Sequence, residues 1–295
     1  MPPPTTSDSR LPFELERLIV EIAARRYHRP DMLHLLLVAR RFKQWVEPFF
    51  YKMVTVRESH SAGLLLRLLE ERPDVGRYVK SLCITANELD SAPLILSLVD
   101  ACPSAENLAL WNHNDSSLVL DRIAYQPLRR LSLMSSHFTV HSDPKRIFGE
   151  RAFEHITHLD IADIPMMTHW MATRWHFRRV AHLTHLRLRF VYPSDPYLGE
   201  LLALPILSAS PAMQVLLVEH HRAADTIACL ATVTRMAADR AFDPRLVLII
   251  DHSDAMRAWE APVRGRRDAW ASGEKHVRLQ RSHNCYLLLQ IRGRG

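Results

Sequence analysis

Histidine is the residue type that first suggests chemistry in this sequence, because 17 of its 295 residues are histidines and imidazole is a common metal ligand. Two pairs have a spacing that would allow chelation from a helix, His155 with His158 and His182 with His185. Both pairs, however, fall on segments whose alternating apolar residues predict strands. Residues three apart on a strand point to opposite faces, so neither pair can hold one ion. We therefore expect no metal site and no cofactor.

Motifs for catalysis and nucleotide binding are missing from the sequence. Its eight glycines form neither a GxGxxG turn nor a P-loop, and there is no GxSxG or HExxH segment. The carboxylates Asp160 and Asp163 lie at the end of a predicted strand, with no partner visible in the sequence that would tune them for catalysis. The sequence therefore predicts a protein that is not an enzyme.

One set of side chains does suggest binding. Cationic residues occupy the outward positions of successive predicted strands, and with a neighbouring tryptophan they form a candidate set: Trp111, Arg130, His158, His185, Arg187 and Arg189. Adjacent strands are about 4.8 Å apart, so these side chains would form one patch. Because guanidinium groups hold carboxylate and phosphate at two points, the patch would suit an acidic or phosphorylated protein segment. The alternative is that an exposed strand face is simply polar.

The strands that would position this patch come from a repeated motif, an apolar residue followed by x-x-Leu-x-apolar. Its eight copies, which include those centred on Leu82, Leu108 and Leu131, are separated by 23 to 32 residues. Helical patterns lie between the copies, the last of them over Ala223 to Ala241. A strand followed by a helix at this period is typical of a leucine-rich-repeat-like solenoid.

A closed barrel of βα units is the alternative fold. A barrel strand is buried on both faces and should be almost continuously apolar. The positions that flank each central residue are polar instead, among them Ser132, Asp160 and Glu219. We therefore predict an α/β protein whose residues 53–252 form an open, irregular leucine-rich-repeat-like βα solenoid with one solvated strand face.

The two ends of the chain differ from the repeat. Residues 253–281 have a helical pattern, and we expect them to form a cap over the last repeat. Residues 282–295 form a tail whose apolar run, Tyr286 to Ile291, is either an extra strand or sequence translated beyond the normal end. Residues 1–9 are rich in Pro, Thr and Ser and lack the charged and apolar regions of a signal peptide, so we expect a disordered tail.

Residues 10–52 predict two helices separated by a Pro turn. The first carries an apolar stripe at helical spacing: Leu15, Leu18, Ile19 and Ile22. The second is apolar around most of its circumference between Leu33 and Trp45. A unit of about forty residues cannot bury so much apolar surface alone, so we expect part of it to lie against another protein.

This helical module resembles the F-box, and more narrowly the F-box-like proteins abundant in mushroom-forming fungi. The resemblance lies in Leu11-Pro12, in Leu and Ile at helical spacing, and in the block Leu-Leu-Val-Ala-Arg-Arg-Phe before Trp45. It covers the module closely and the repeat only in style. It implies docking on the Skp-type adaptor of a cullin–RING (SCF-type) ubiquitin ligase, and the implied adaptor-binding residues are Leu11, Pro12, Leu15, Ile19, Ile22, Leu36, Val38 and Phe42.

The resemblance and the repeat together favour a substrate-receptor adaptor, in which the module binds the ligase adaptor and the solenoid binds a client protein. The alternative is an interaction scaffold with no link to a ligase, in which the helical hairpin only caps the repeats. The net charge of +6 permits a nucleic-acid partner, but the 38 Lys and Arg are spread without a basic block, which does not favour one.

The remaining composition bears on location. The four cysteines are widely spaced and include no CxxC pair, which favours reduced thiols in the cytoplasm or nucleus. Uninterrupted apolar runs such as Leu35 to Ala39 are far too short for a membrane span, so we expect no membrane partner.

Overall fold

The computed structural model of the chain is a mixed α/β protein with one parallel β-sheet, which confirms the predicted α/β class. It describes residues 11–26, 29–85, 92–111, 117–139, 151–164, 177–190, 198–220, 243–251, 255–262, 268–283 and 288–291. The predicted tail 1–9 and the predicted helix 223–241 lie outside the described residues. No helix in this part of the chain is long and apolar enough to cross a membrane.

The N-terminal module consists of three helices: α1 (Phe13–Arg26), α2 (Arg29–Val38) and α3 (Arg40–Phe50). The sequence predicts two helices, and the difference arises at Ala39, whose extended backbone (φ −159°, ψ 155°) separates α2 from α3. The buried core of the module is a small cluster of Val20, Ala24, Met32, Trp45 and Val46. Because this core is small, much of the apolar surface of the module is left outside it.

The described strands after the module form one sheet in sequence order, so that each strand pairs with the next one along the chain. They are β1 (Met53–Val56), β2 (Ser81–Ile84), β3 (Asn107–Leu110), β4 (Arg130–Met134), β5 (His158–Ile164), β6 (His185–Phe190), β7 (Val215–His220), β8 (Leu246–Asp251) and β9 (Leu288–Ile291). All eight pairings are parallel. Among the described strands, β1 and β9 each pair with one neighbour, so the sheet is open rather than closed into a barrel.

Parallel neighbours need a crossover between them, and the described parts of the crossovers from β1 to β7 contain helices or single 3-10 turns. The helices are α4 (Ser59–Glu71), α5 (Pro73–Gly76), α6 (Ala92–Asp100), α7 (Ser117–Ile123), α8 (Ser136–Thr139) and α9 (Leu198–Ala209), with single 3-10 turns at Arg151–Phe153 and Phe177–Arg179. Reciprocal capping contacts between Glu58 and Ser61 start α4, and Pro73 suits the first turn of α5. Two further helices, α10 (Ala255–Glu260) and α11 (Ala269–His283), follow β8.

The repeated motif forms the hydrophobic core. Its central residues Leu108, Leu131 and Leu159 lie opposite one another on adjacent strands and are fully buried. They pack with residues of the crossover helices in one cluster that extends from Val54 on β1 to Leu248 on β8. Each strand therefore buries its apolar face by stacking against its neighbours and its crossover.

The C-terminal end of the sheet differs in detail from the sequence pattern. Leu246, rather than Leu248, lies opposite Leu216. The eighth copy lacks the first apolar residue of the motif, so the sequence does not indicate which residue of this strand lies opposite Leu216. The apolar run of the tail contributes β9, which pairs with Leu248–Asp251 and extends the sheet.

The sheet face opposite the core, here called the second face, contradicts the prediction of a solvated strand surface. Most of its polar residues are buried: Ser81, Ser132, Asp160, His185, Arg187, Arg189 and Glu219. The cover is provided by α10 and α11, here called the C-terminal helices. Met256 packs against Cys83 and Ala109, and Val277 joins a cluster with residues of β7 and β8. The C-terminal helices therefore lie across the second face instead of capping only the last repeat.

Candidate functional site

Helix α1 points its large apolar side chains away from the protein. Leu15, Leu18, Ile19 and Ile22, here called the outer stripe, are 42–54% exposed, whereas Val20 is buried. Their i, i+3, i+4, i+7 spacing places all four on one side of the helix. A single exposed leucine is ordinary, but a continuous apolar stripe of this kind is a candidate docking surface.

The other adaptor-binding residues implied by the resemblance fall into two groups. Leu11, Pro12 and Val38 are exposed. Leu36 and Phe42 instead pack against the core of the module, so their side chains serve its internal packing. The sequence pattern did not single out Leu33 and Leu37, which are also exposed. Their spacing of four residues, which puts them on one side of α2, is the signal that could have identified them.

Ion pairs hold the module together and attach it to the sheet. Arg41 donates two hydrogen bonds to Glu16, at 2.9 and 2.6 Å, and so links α3 to α1. The hydrogen bonds from Arg41 lower the pKa of Glu16. Arg72, which follows α4, donates two hydrogen bonds to the buried carboxylate of Glu47 on α3, at 2.6 and 2.9 Å. The second pair fixes the module against the first crossover.

A hydrogen-bonded network crosses the middle of the second face. Arg189 donates to Asp160 from Nε to Oδ1 at 3.0 Å and from Nη2 to Oδ2 at 2.9 Å. Ser132 donates to the same carboxylate and accepts from the indole N–H of Trp111, both at 2.8 Å. The guanidinium of Arg189 also lies 5.0 Å from the centroid of the Trp111 ring, in cation–π geometry. Two residues of the predicted binding set thus meet here, in a closed network.

Arg187 is also neutralised within the sheet. Its Nε donates to Oε2 of Glu219 on β7 at 2.6 Å, and its Nη2 contacts the same oxygen. Both side chains are buried. A buried charge is tolerated when it is paired and hydrogen-bonded, and this pair meets that condition without the C-terminal helices.

Arg130 and His185 have acidic partners on the C-terminal helices. Arg130 donates to Oδ2 of Asp268, which precedes α11, at 3.0 Å. The Nε2 of His185 lies 3.2 Å from Oε1 of Glu274 on α11. Asp268 also accepts a hydrogen bond from the amide of Ala271 and so caps α11. Through these contacts the C-terminal helices place two carboxylates against the second face.

His158 and His185 form a stacked pair. Their rings are 4.1 Å apart with an interplanar angle of 6°, and Trp270 presents its edge to both, at 5.3 and 5.8 Å. Burial, the neighbouring imidazole and Arg130 lower the pKa of His158 to about 3. Burial also lowers the pKa of His185, although Glu274 opposes the shift. Both rings are therefore neutral at pH 7, and their stacking prevents both from pointing a nitrogen at one ion.

A cavity of about 50 Å³ remains between the second face and the C-terminal helices. Trp111, Arg130, Trp259 and Trp270 are among the residues that line it. This volume is enough for a few water molecules, whereas sites for cofactors and drug-sized ligands measure about 300–1,000 Å³. Within the described residues, no group of three or more His, Cys, Asp or Glu is arranged to hold a metal ion.

The structure brings the whole predicted binding set together but does not leave it open. Arg130, Arg187 and Arg189 each contact a carboxylate of this chain, and the two histidines stack beneath Trp270. The predicted open cationic patch is therefore wrong as an exposed surface, because the chain itself supplies acidic partners and a cover.

The thiols of two buried cysteines are also unreactive. Burial raises the pKa of the Cys83 thiol and raises that of Cys102 to about 12, so neither is a nucleophile at neutral pH. Comparison of the chain with models of known protein families and with curated proteins gives no significant match.

Proposed function

We propose that the chain is the substrate receptor of an SCF-type ubiquitin ligase. Its F-box-like module docks on a Skp-type adaptor, and its sheet, as an irregular leucine-rich-repeat-like solenoid, holds a client protein. The observation that carries the proposal is the outer stripe, which follows the exposed Leu11-Pro12 start of α1. Burial of apolar surface is the main favourable term in most protein–protein association, and this stripe offers four large apolar side chains on one helix.

The arrangement of the rest of the chain supports the same role. A parallel sheet in sequence order with helical crossovers is what stacked βα repeats produce, and such repeats present extended binding surfaces. The Glu47–Arg72 pair holds the module on the first crossover. A client on the sheet would thus be kept at a defined distance from the adaptor. The contribution of the chain is a raised effective concentration of client lysines near the ubiquitin-conjugating enzyme.

Co-expression of the full chain with a Skp-type adaptor, followed by affinity capture and size exclusion, tests the proposal. We expect a stable 1:1 complex, since the module contains one docking surface. Leu15→Glu combined with Ile19→Glu should reduce the captured adaptor at least tenfold, because burying two unpaired carboxylates in an apolar interface is costly. Leu11→Ala combined with Pro12→Ala should reduce it in the same way.

Leu64→Glu provides the matched control. Leu64 is 51% exposed on α4, outside the module, so this variant should capture as much adaptor as the wild type. A wild-type chain that captures no adaptor, or an outer-stripe variant that captures it undiminished, would refute the proposal. The first result would instead favour the alternative, an interaction scaffold that has no ligase link and whose module only caps the sheet.

A further inference from the structure

The second face changes character along the sheet. At β2 and β3 the polar Ser81 is accompanied by the small apolar residues Cys83 and Ala109, which contact Met256 of α10. In the middle it carries the charged and histidine residues described above. At the far end it is apolar again, where α11 contributes Ala269 and Val277 to a cluster with Val215, Leu217, Val247 and Ile249. Apolar residues of the C-terminal helices thus lie against the apolar parts of the second face, and their carboxylates lie against its charged middle.

We infer that the C-terminal helices are an internal occupant of the client site, and that a client binds the second face with a tryptophan-bearing helix that carries carboxylates at the positions of Asp268 and Glu274. The inference rests on the proposed function, since it identifies the face that would hold the client. Carboxylates of the client would take the places of Asp268 and Glu274 on Arg130 and His185. An aromatic residue would replace Trp270 on the histidine stack.

The distribution of the ion pairs shows why this exchange is feasible. The Arg189–Asp160 and Arg187–Glu219 pairs lie within the sheet and remain complete when the C-terminal helices leave. Arg130 and His185 lose the carboxylates of Asp268 and Glu274. A departure of the helices would therefore remove these two partners and expose the charged guanidinium of Arg130, which favours an acidic ligand.

The ion pairs between the C-terminal helices and the second face are partly exposed to water. The Glu274 side chain is 43% exposed where it meets His185, and the Arg130 side chain is 34% exposed where it meets Asp268. The main hydrophobic cluster, which reaches from Val54 to Leu248, includes no residue of α10 or α11. Removing these helices from the sheet would therefore leave the main core intact.

Gly273 provides a place to weaken the docking of α11 specifically. A Cβ atom at this position would lie 2.6 Å from Cδ2 of Leu217 and 3.1 Å from Cγ1 of Val215, so α11 rests directly on β7 there. A leucine at position 273 would push the helix away from the sheet. Asp268→Asn with Glu274→Gln is the gentler variant, because it removes both charges and retains acceptor oxygens for the α11 cap.

Hydrogen exchange on the unmodified full chain is the first test. We expect the amides of α11 to exchange at least a hundredfold faster than those of β5 and β6, after correction for intrinsic rates, because α11 opens without unfolding the sheet. If the amides of α11 and those of the two strands exchange with equal protection, α11 is an integral part of the fold and the inference is overturned.

A labelled peptide of residues 268–283 is the probe for the second test. It should bind both variants, Gly273→Leu and Asp268→Asn with Glu274→Gln, at least tenfold more tightly than the wild type, whose site is occupied. A peptide that carries Asn and Gln at the two acidic positions should bind at least tenfold more weakly than the natural peptide. Lys275→Gln with Arg278→Gln changes two exposed residues of α11 and should bind the natural peptide as the wild type does.

Two results in this test would refute the inference: peptide affinity that is equal in all variants, and unfolding of the sheet by the charge-neutral variant. Adaptor capture from the same preparations separates this inference from the proposed function. Capture without peptide exchange would reject only the inference. Peptide exchange without adaptor capture would reject the ligase link and still support the second face as a binding site.

Discussion

The N-terminal module and the second face of the sheet show opposite relations between polarity and burial. The module leaves Ile19 in solvent and buries Val20 beside it, whereas the sheet buries Arg187 and Arg189. The difference depends on the partners that the chain supplies. Neighbouring strands place carboxylates at hydrogen-bond distance from both arginines, and the C-terminal helices exclude water. No described helix covers the outer stripe, and this is why we propose another molecule as its partner.

This comparison predicts that the same ion-pair geometry has very different energetic consequences at two places in the chain. Arg189–Asp160 and Arg122–Asp100 are both doubly hydrogen-bonded. Their side chains are 5% and 10% exposed in the first pair, and 58% and 43% exposed in the second. Asp160→Ala should lower the free energy of unfolding by about 3–5 kcal/mol, because it leaves a buried guanidinium without its partner.

Asp100→Ala is the control for this prediction, and its cost should be about 0–1 kcal/mol. Urea denaturation at pH 7 measures both values. Adding Arg189→Met to Asp160→Ala should recover a large part of the loss, since the unpaired charge is removed as well. Equal losses in the two single variants would show that the second face is accessible to water.

The sequence predicted the sheet because the information for it is local. Each copy of the motif carries its own buried residues, such as Leu131 and Leu159, and their spacing identifies strand and crossover without knowledge of the rest of the chain. The burial of the second face is not local. Arg130 and Asp268 are 138 residues apart, and no periodicity relates them. A polar strand position was therefore indistinguishable from a solvated one.

Within the module, too, the helical pattern was easier to predict than the contacts between helices. The outer stripe follows from spacing alone, but its outward orientation depends on which side of α1 meets Trp45. The break at Ala39 has neither Gly nor Pro to signal it, so α2 and α3 read as one helix. The sequence predicts element types well here and predicts contacts between elements poorly.

Acidification should weaken the second face selectively. The pKa of His158 is lowered to about 3 by burial, by His185 and by Arg130. Because an unfolded histidine has a pKa of about 6.5, the unfolded chain binds a proton that the folded chain excludes as the pH falls below that value. Stability should then decrease by about 1.4 kcal/mol per pH unit from this residue, or about 2 kcal/mol between pH 7 and pH 5.

The measurement is the difference in the free energy of unfolding between pH 7 and pH 5, for the wild type and for His158→Gln. The variant should lose less stability on acidification than the wild type does. Asp268 and Glu274 face the same pair from the C-terminal helices, and their charges partly oppose the effect at His185. His155→Gln, at an exposed position, should retain the wild-type pH dependence. An unchanged pH dependence in His158→Gln would contradict the buried neutral stack.

The smallest effect on stability is expected at the outer stripe. Ile19 is 54% exposed and its neighbour Val20 is 4% exposed on the same helix. Ile19→Gln should change the free energy of unfolding by less than about 0.5 kcal/mol, because it alters a surface position. Val20→Ala should cost about 2 kcal/mol, because it removes two buried methyl groups from the core of the module.

These two adjacent positions test the basis of the comparison between module and sheet. If Ile19→Gln destabilised the chain as strongly as Val20→Ala, the stripe would be packed inside the protein in solution and would not be available to an adaptor. If Ile19→Gln left stability unchanged and still weakened adaptor capture, the side chain would act in binding and not in folding. That separation is what distinguishes a docking residue from a core residue on the same helix.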